Sequence, residues 1–173
     1  MPKEGPMPPP VAALRPLLLL LLGLALGASG TAGAQQEPPP LDLATYPRTT
    51  LTITQTRPAA VHKFRVWVAD TEPRAQQGLM FVRDLPESEG MIFPLEPPRI
   101  ETMWMKNTYI ELDMLFIDAA GRVVKIIERA RPLALDTLSS GGPVSAVLEL
   151  KGGLAAKLAL HTGDKVSWKK PAG

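Results

Sequence analysis

Cysteine is absent from all 173 residues. That absence excludes disulfides, thiolate nucleophiles, zinc–thiolate centres and a lipid-modified N-terminal cysteine, so packing alone must hold the fold. Histidine is nearly as scarce: His62 and His161 are the only two, and they fall in separate segments with no companion ligand spacing. Paired-histidine metal motifs, a phosphate-cradling glycine loop and Gly-Xaa-Ser-Xaa-Gly are all missing. Ser139, Ser140 and Ser145 lie in or beside a Gly- and Pro-bearing stretch, where serine is ordinary turn chemistry, so serine hydrolysis has no support. Net charge is also small, +2 over the whole chain. A balance that close to neutral argues against nucleic acid as a partner.

What is present begins with a targeting pattern. Lys3 and Arg15 precede an unbroken run from Leu17 to Leu22, and Ala32, Gly33 and Ala34 then supply the small residues that a signal peptidase reads. The apolar run, residues 16–26, is shorter than the roughly 20 residues that cross a bilayer, which favours a cleaved signal over an anchor. Residues 1–34 are therefore expected to be a signal peptide, and the chain to be exported to the periplasm or the extracellular space. Its removal takes away Lys3 and Arg15 against Glu4, leaving a net charge of +1 and no membrane span. Roughly 140 residues remain, enough for a single core. Residues 35–50, QQEPPPLDLATYPRTT, are proline-rich without apolar periodicity and read as an extended tether, with one β-rich domain over residues 51–170.

Within that domain, alternation marks short strands at 51–54 and 61–68, with Phe64, Val66 and Val68 inward. Asp70, Thr71 and Pro73 are a helix start, and the helix is expected to run to Leu79 or Met80 with Ala75 and Leu79 inward. Met91-Ile92-Phe93 reads as a strand that stops at Pro94, followed by a rigid loop at 96–99. Residues 123–127 read as a strand covered on both faces, 131–143 as a long loop, and 144–150 as a strand ending near Glu149. Residues 154–160 predict a compact, almost wholly buried helix, and 166–168 a last strand. The expected architecture is mainly β (α+β): a small, mostly antiparallel, closed or half-closed barrel-like domain with two short helices.

The stretch the rest is arranged around is ETMWMKNTYIELDMLFID, residues 101–118. A tight turn at Thr108-Tyr109 makes it a hairpin in which Met105 faces Leu112, Lys106 faces Glu111 and Trp104 faces Asp113. One face then carries Met103, Met105, Leu112, Met114 and Phe116, the other Trp104, Lys106, Glu111 and Asp113. Trp104, Lys106, Asn107 and Asp113, joined by Arg74 and Glu149 from neighbouring elements, are the candidate ligand-binding residues. A lysine flanked by carboxylates beside an indole suits an electrostatic clamp, or a general acid or base. The competing reading is a cross-strand ion pair worth about 0–1 kcal/mol if exposed.

Val68-Ala69-Asp70-Thr71, Arg74, Gly78-Leu79-Met80, Gly90-Met91-Ile92-Phe93, Trp104-Met105-Lys106-Asn107-Thr108, Leu112-Asp113-Met114-Leu115-Phe116, Val147-Leu148-Glu149-Leu150 and Gly163-Asp164 together resemble the domain of unknown function 192 family. The resemblance spans about residues 51–168, and its most specific block is the Trp-Met-Lys-Asn-Thr run followed by Leu-Asp. The chain departs from the family pattern at Met103, where an aromatic residue is usual, and at Glu111, where proline is common. The resemblance implies a small, β-rich, often exported domain with no established activity.

Three classes of function stay open. The first is a non-catalytic, monomeric module that binds a small ligand or an envelope protein through the polar patch beside Trp104, without a cofactor or metal. The second is an enzyme of unknown reaction using Lys106 and Asp113. The third is a copper(I) carrier, because Met80, Met91, Met103, Met105 and Met114 with His62 and Trp104 are soft-metal ligand types. Burial of the methionines as core filler argues against the third.

Overall fold

A computed structural model of the chain describes residues 39–170; the expected signal segment and the first residues of the tether lie outside the described residues. Seven strands and two short helices follow one another as β1 (Arg48–Thr56), β2 (Ala59–Val68), α1 (Glu72–Gln77), β3 (Glu89–Met103), β4 (Leu112–Ile117), β5 (Val123–Ala130), β6 (Leu138–Lys151), α2 (Leu154–Lys157) and β7 (Lys165–Trp168). Ordered structure begins earlier than residue 51: a 3-10 turn at Leu43–Thr45 and a buried Tyr46 precede β1.

The strands form one sheet in the order β5-β4-β6-β3-β2-β1-β7. All neighbours are antiparallel except β2 and β3, whose connection passes through α1. The ladder does not close. Its two outer strands are nevertheless drawn together at one end, where Arg122 bridges Lys165, Val123 N–H donates to Asp164 O at 2.9 Å, and Val166 N–H donates to Gly121 O at 2.8 Å.

Curling of the sheet produces two apolar clusters, one on each face. The inner cluster takes Leu51 and Ile53 of β1, Phe64, Val66 and Val68 of β2, Leu148 and Leu150 of β6, Val166 of β7, and Leu154 and Ala155 of α2. The outer cluster takes Met91 and Phe93 of β3, Met114 and Phe116 of β4, and Val147 of β6, covered by Tyr46, Leu79, Leu85 and Met105. Strands with both faces covered should read as continuous apolar runs, and β4, LDMLFI, is buried at every position. β5, expected to be covered on both sides, is instead an outer strand with Val124 exposed.

The central hairpin does not form. β3 and β4 are not neighbours, because β6 lies between them and pairs with both: Met91 and Met114 flank Glu149 from opposite sides. Residues 104–111 are a loop, and its backbone groups bond to other loops: Met105 N–H to Ala134 O, Phe81 N–H to Asn107 O, and Leu133 N–H to Thr108 O. Met105 is fully buried as expected, but from a loop; burying such a side chain contributes about 1.5–3 kcal/mol. β3 also continues past Pro94. Because proline supplies no N–H, its pairing with β6 skips from Pro94 to Arg99 and resumes. Likewise β6 starts at Leu138, inside the stretch read as a loop, and α2 stops at Lys157, after which Ala159 takes a φ of 53°.

Candidate ligand groove beside Trp104

The skipped pairing in β3 is what opens a site. Between Pro94 and Arg99 the strand bows away from β6, while Asp70 and Thr71 lead into α1 on the neighbouring side. The result is a groove of about 610 Å³, within the usual range for small-molecule sites. Phe93, Leu95, Met103 and Trp104 supply its apolar surface, and Asp70, Glu72, Glu96, Arg99, Glu101 and Lys170 bring charge.

Trp104 is half exposed, an unusual position for an indole in a chain with few aromatic residues. Lys106 Nζ lies 5.3 Å from the ring centroid, a cation–π contact worth about 0.5–1 kcal/mol at an exposed site. Arg99 Nη2 approaches Glu101 Oε2 at 2.8 Å, yet that oxygen accepts no aligned hydrogen bond. The contact is therefore coulombic more than directional, and Arg99 is more than half exposed, so it is worth at most about 1 kcal/mol. Glu101 is held in place through its backbone: its N–H donates to Ser140 Oγ, and Ser140 Oγ donates to Gly142 O.

The six residues singled out in the sequence do not assemble into one cluster. Trp104 and Lys106 are together. Arg74 sits next to the groove without lining it, bonded to Asp70 Oδ1 at 2.6 Å and placed 5.5 Å from the Tyr46 ring. Asn107 holds a turn with φ 56°, a conformation asparagine tolerates better than most residues, and its carbonyl accepts from Phe81 N–H.

Asp113 is fully buried and occupied: Oδ1 accepts from the N–H groups of Arg129 and Gly153 at 2.8 and 2.9 Å, and Oδ2 from Ala155 N–H at 2.7 Å. The hairpin pair expected between Asp113 and Lys106 is replaced by this backbone cap, and Glu111 pairs with Arg129 at 2.7 Å. Glu149 lies on the opposite face of the sheet from Asp113, since Asp113 stands beside Leu150 of the inner cluster and Glu149 beside Met114 of the outer one. Its Oε2 has no hydrogen-bond partner among the described residues, and burial pushes its carboxyl up to about 8.

Sequence reasoning missed Asp70, Arg99 and Glu101 as groove residues. The available clue was the triple proline 94–98 inside an otherwise strand-like stretch, the pattern of a bowed strand. Among the described residues no three His, Asp or Glu side chains gather to hold a metal. Met91, Met105 and Met114 pack into the outer cluster, whereas His62 bonds Gln55 Oε1 at 2.7 Å.

A model of the DUF192 family, described as uncharacterized ACR, matches residues 52–168. A solved protein of unknown function from Novosphingobium aromaticivorans is similar at 39% identity and TM-score 0.70, covering 82% of this chain and all of that one. A provisionally designated transcription regulator from Sinorhizobium meliloti is similar at 34% identity and TM-score 0.69, covering 71% of this chain and 95% of that one. No curated protein matches.

Proposed function

This chain belongs to the DUF192 family, and from that premise we propose that it is an exported, non-catalytic binding module that takes a small neutral ligand in the groove beside Trp104. The carrying observation is the half-exposed indole lining a concave surface that is partly apolar. An aromatic plate binds the apolar face of a ring, and fixed polar groups nearby orient its hydroxyls.

Ligand charge follows from the way charges are paired in the groove. Asp70 is matched by Arg74 at 2.6 Å, Glu101 by Arg99 at 2.8 Å, and Glu96 by Lys170 at 3.2 Å. A ligand charge placed among these residues would compete with the pairs already formed, whereas a hydroxyl-bearing ring would bond to them as they stand. Saccharides are the class with that chemistry. A catalytic reading of Lys106 and Asp113 loses support because the carboxylate's oxygens are already committed to three backbone donors. Export is supported by the leucine run at residues 17–22 and the small residues that follow it.

Titrating the chain with soluble mono- and disaccharides while following the indole N–H resonances of Trp67, Trp104 and Trp168 tests the assignment. The Trp104 signal is expected to move alone and saturably, and Trp104→Ala to abolish binding with little loss of stability. Equal movement of all three indoles, or of none across the panel, removes the groove as the binding site.

A further inference from the structure

Three loops converge beside the groove, and each carries a residue in a left-handed backbone conformation. Phe81 follows α1 with φ 67°, Asn107 lies between β3 and β4 with φ 56°, and Leu133 lies between β5 and β6 with φ 60°. Backbone hydrogen bonds stitch the loops together at Phe81–Asn107, Thr108–Leu133 and Met105–Ala134. For asparagine a positive φ is tolerable, but for phenylalanine and leucine it is an outlier that must be held by its surroundings. What the strained loops hold outward is apolar: Phe81 and Tyr109, edge to face at 6.3 Å, with Leu133 at 56% exposure and Leu135 at 70%.

The rim of this surface holds two cations beside the exposed Arg131–Asp136 and Lys151–Asp84 pairs. Arg83 lies 4.9 Å over the Tyr109 ring and Lys106 lies 5.3 Å over Trp104, and neither has a carboxylate partner among the described residues. Exposed aliphatic side chains on a loop bonded to the one that carries Tyr109 and Trp104, each of those rings faced by a cation, form the pattern that seats at the boundary between acyl chains and anionic headgroups.

We propose that the Phe81, Tyr109, Leu133 and Leu135 surface docks peripherally on an anionic phospholipid bilayer, with Arg83 and Lys106 at the headgroup level. A protein partner would have to cover apolar tips that project from three separate loops; a bilayer needs only to let them in.

The absence of cysteine makes a direct test possible. A cysteine introduced at Leu135→Cys in the full chain carries an environment-sensitive dye, and a second preparation carries it at Lys63→Cys, an exposed position on β2. The leucine run itself can bind lipid, so the readout is the local environment of the dye and not co-sedimentation. With vesicles containing phosphatidylglycerol, emission at 135 is expected to shift to the blue and brighten while emission at 63 stays constant. Neutral phosphatidylcholine vesicles are expected to leave both unchanged. Adding Arg83→Glu and Lys106→Glu to the 135-labelled chain is expected to raise the lipid needed for half the change by at least about 25-fold, about fivefold for each cation removed. An unchanged dye at 135, equal shifts at both positions, an equal response to neutral vesicles, or a lipid-free shift that grows with protein concentration would each overturn the proposal; the last would mark self-association.

Discussion

Glu149 stands in the middle strand of the outer cluster with Met91 on one side and Met114 on the other, and its Oε2 has no hydrogen-bond partner among the described residues. Removing a carboxylate from water favours its neutral form, which is why its titration is pushed up to about 8 from an ordinary value of 4.5. Between those two pH values the folded chain keeps a proton that the unfolded chain has released. The contribution of this one group to stability is therefore greatest below about 4.5, falls as pH rises by up to about 1.4 kcal/mol per unit, and levels off above about 8. Glu149→Gln keeps the shape and cannot ionise. In urea titrations the variant and the parent should match near pH 4.5, with the variant ahead by roughly 2–5 kcal/mol at pH 8.5. A gap that does not change with pH would mean that Glu149 is not held neutral in the folded chain.

Asp113 acts at the level of elements, because its two oxygens tie β4 to the end of β5 and to the start of α2. Asp113→Ala strands three backbone N–H groups, and at about 1–3 kcal/mol for each donor left unmatched the loss should reach about 3–5 kcal/mol after partial relaxation. Amide exchange checks it: protection should drop at Arg129, Gly153 and Ala155 before it drops in β3. The same residue shows where sequence reasoning worked and where it did not. Strands such as β1 and β2 announce themselves by alternation, and the apolar character of Met105, Leu112, Met114 and Phe116 was legible because each is buried. Pairing was not legible. A run of alternating residues on both sides of Thr108-Tyr109 is as compatible with a hairpin as with two strands that flank a third, and the third, β6, comes more than twenty residues later. The polar half of the supposed hairpin face was accordingly split between an exposed loop, carrying Trp104 and Lys106, and a buried backbone cap at Asp113. The groove was hidden for a related reason: prolines 94, 97 and 98 read as an end to β3 when they mark only a gap in its pairing.

At the scale of the whole molecule, the question is how an open seven-stranded sheet without disulfides keeps its two edges from fraying. The ion pairs of the far surface, such as Lys157–Glu87 at 2.6 Å and Lys151–Asp84 at 3.3 Å, are largely exposed and contribute little. What joins the ends is backbone: the β4–β5 turn reaches β7 through Val166 N–H to Gly121 O, Gly163 N–H to Val123 O, and Val123 N–H to Asp164 O. Asp164 fixes that corner further, since its buried side chain accepts from His161 N–H at 2.8 Å. Gly121 is the weak point of the closure. Its φ of 74° suits glycine, and an added Cβ would lie 2.8 Å from Val166 O, the acceptor-bearing backbone of the opposing strand. Gly121→Ala should therefore both strain the turn and push β7 away, at a cost of about 2–4 kcal/mol from backbone strain and lost closing bonds. If the two edges support each other, exchange should quicken together at Val123 and Val166, residues on opposite ends of the strand order, while the amides of β3 and β6 in the centre keep their protection. Faster exchange confined to the turn at 121 would mean instead that each edge stands alone, and that the inner cluster between β1, β2 and α2 suffices to hold β7 in place.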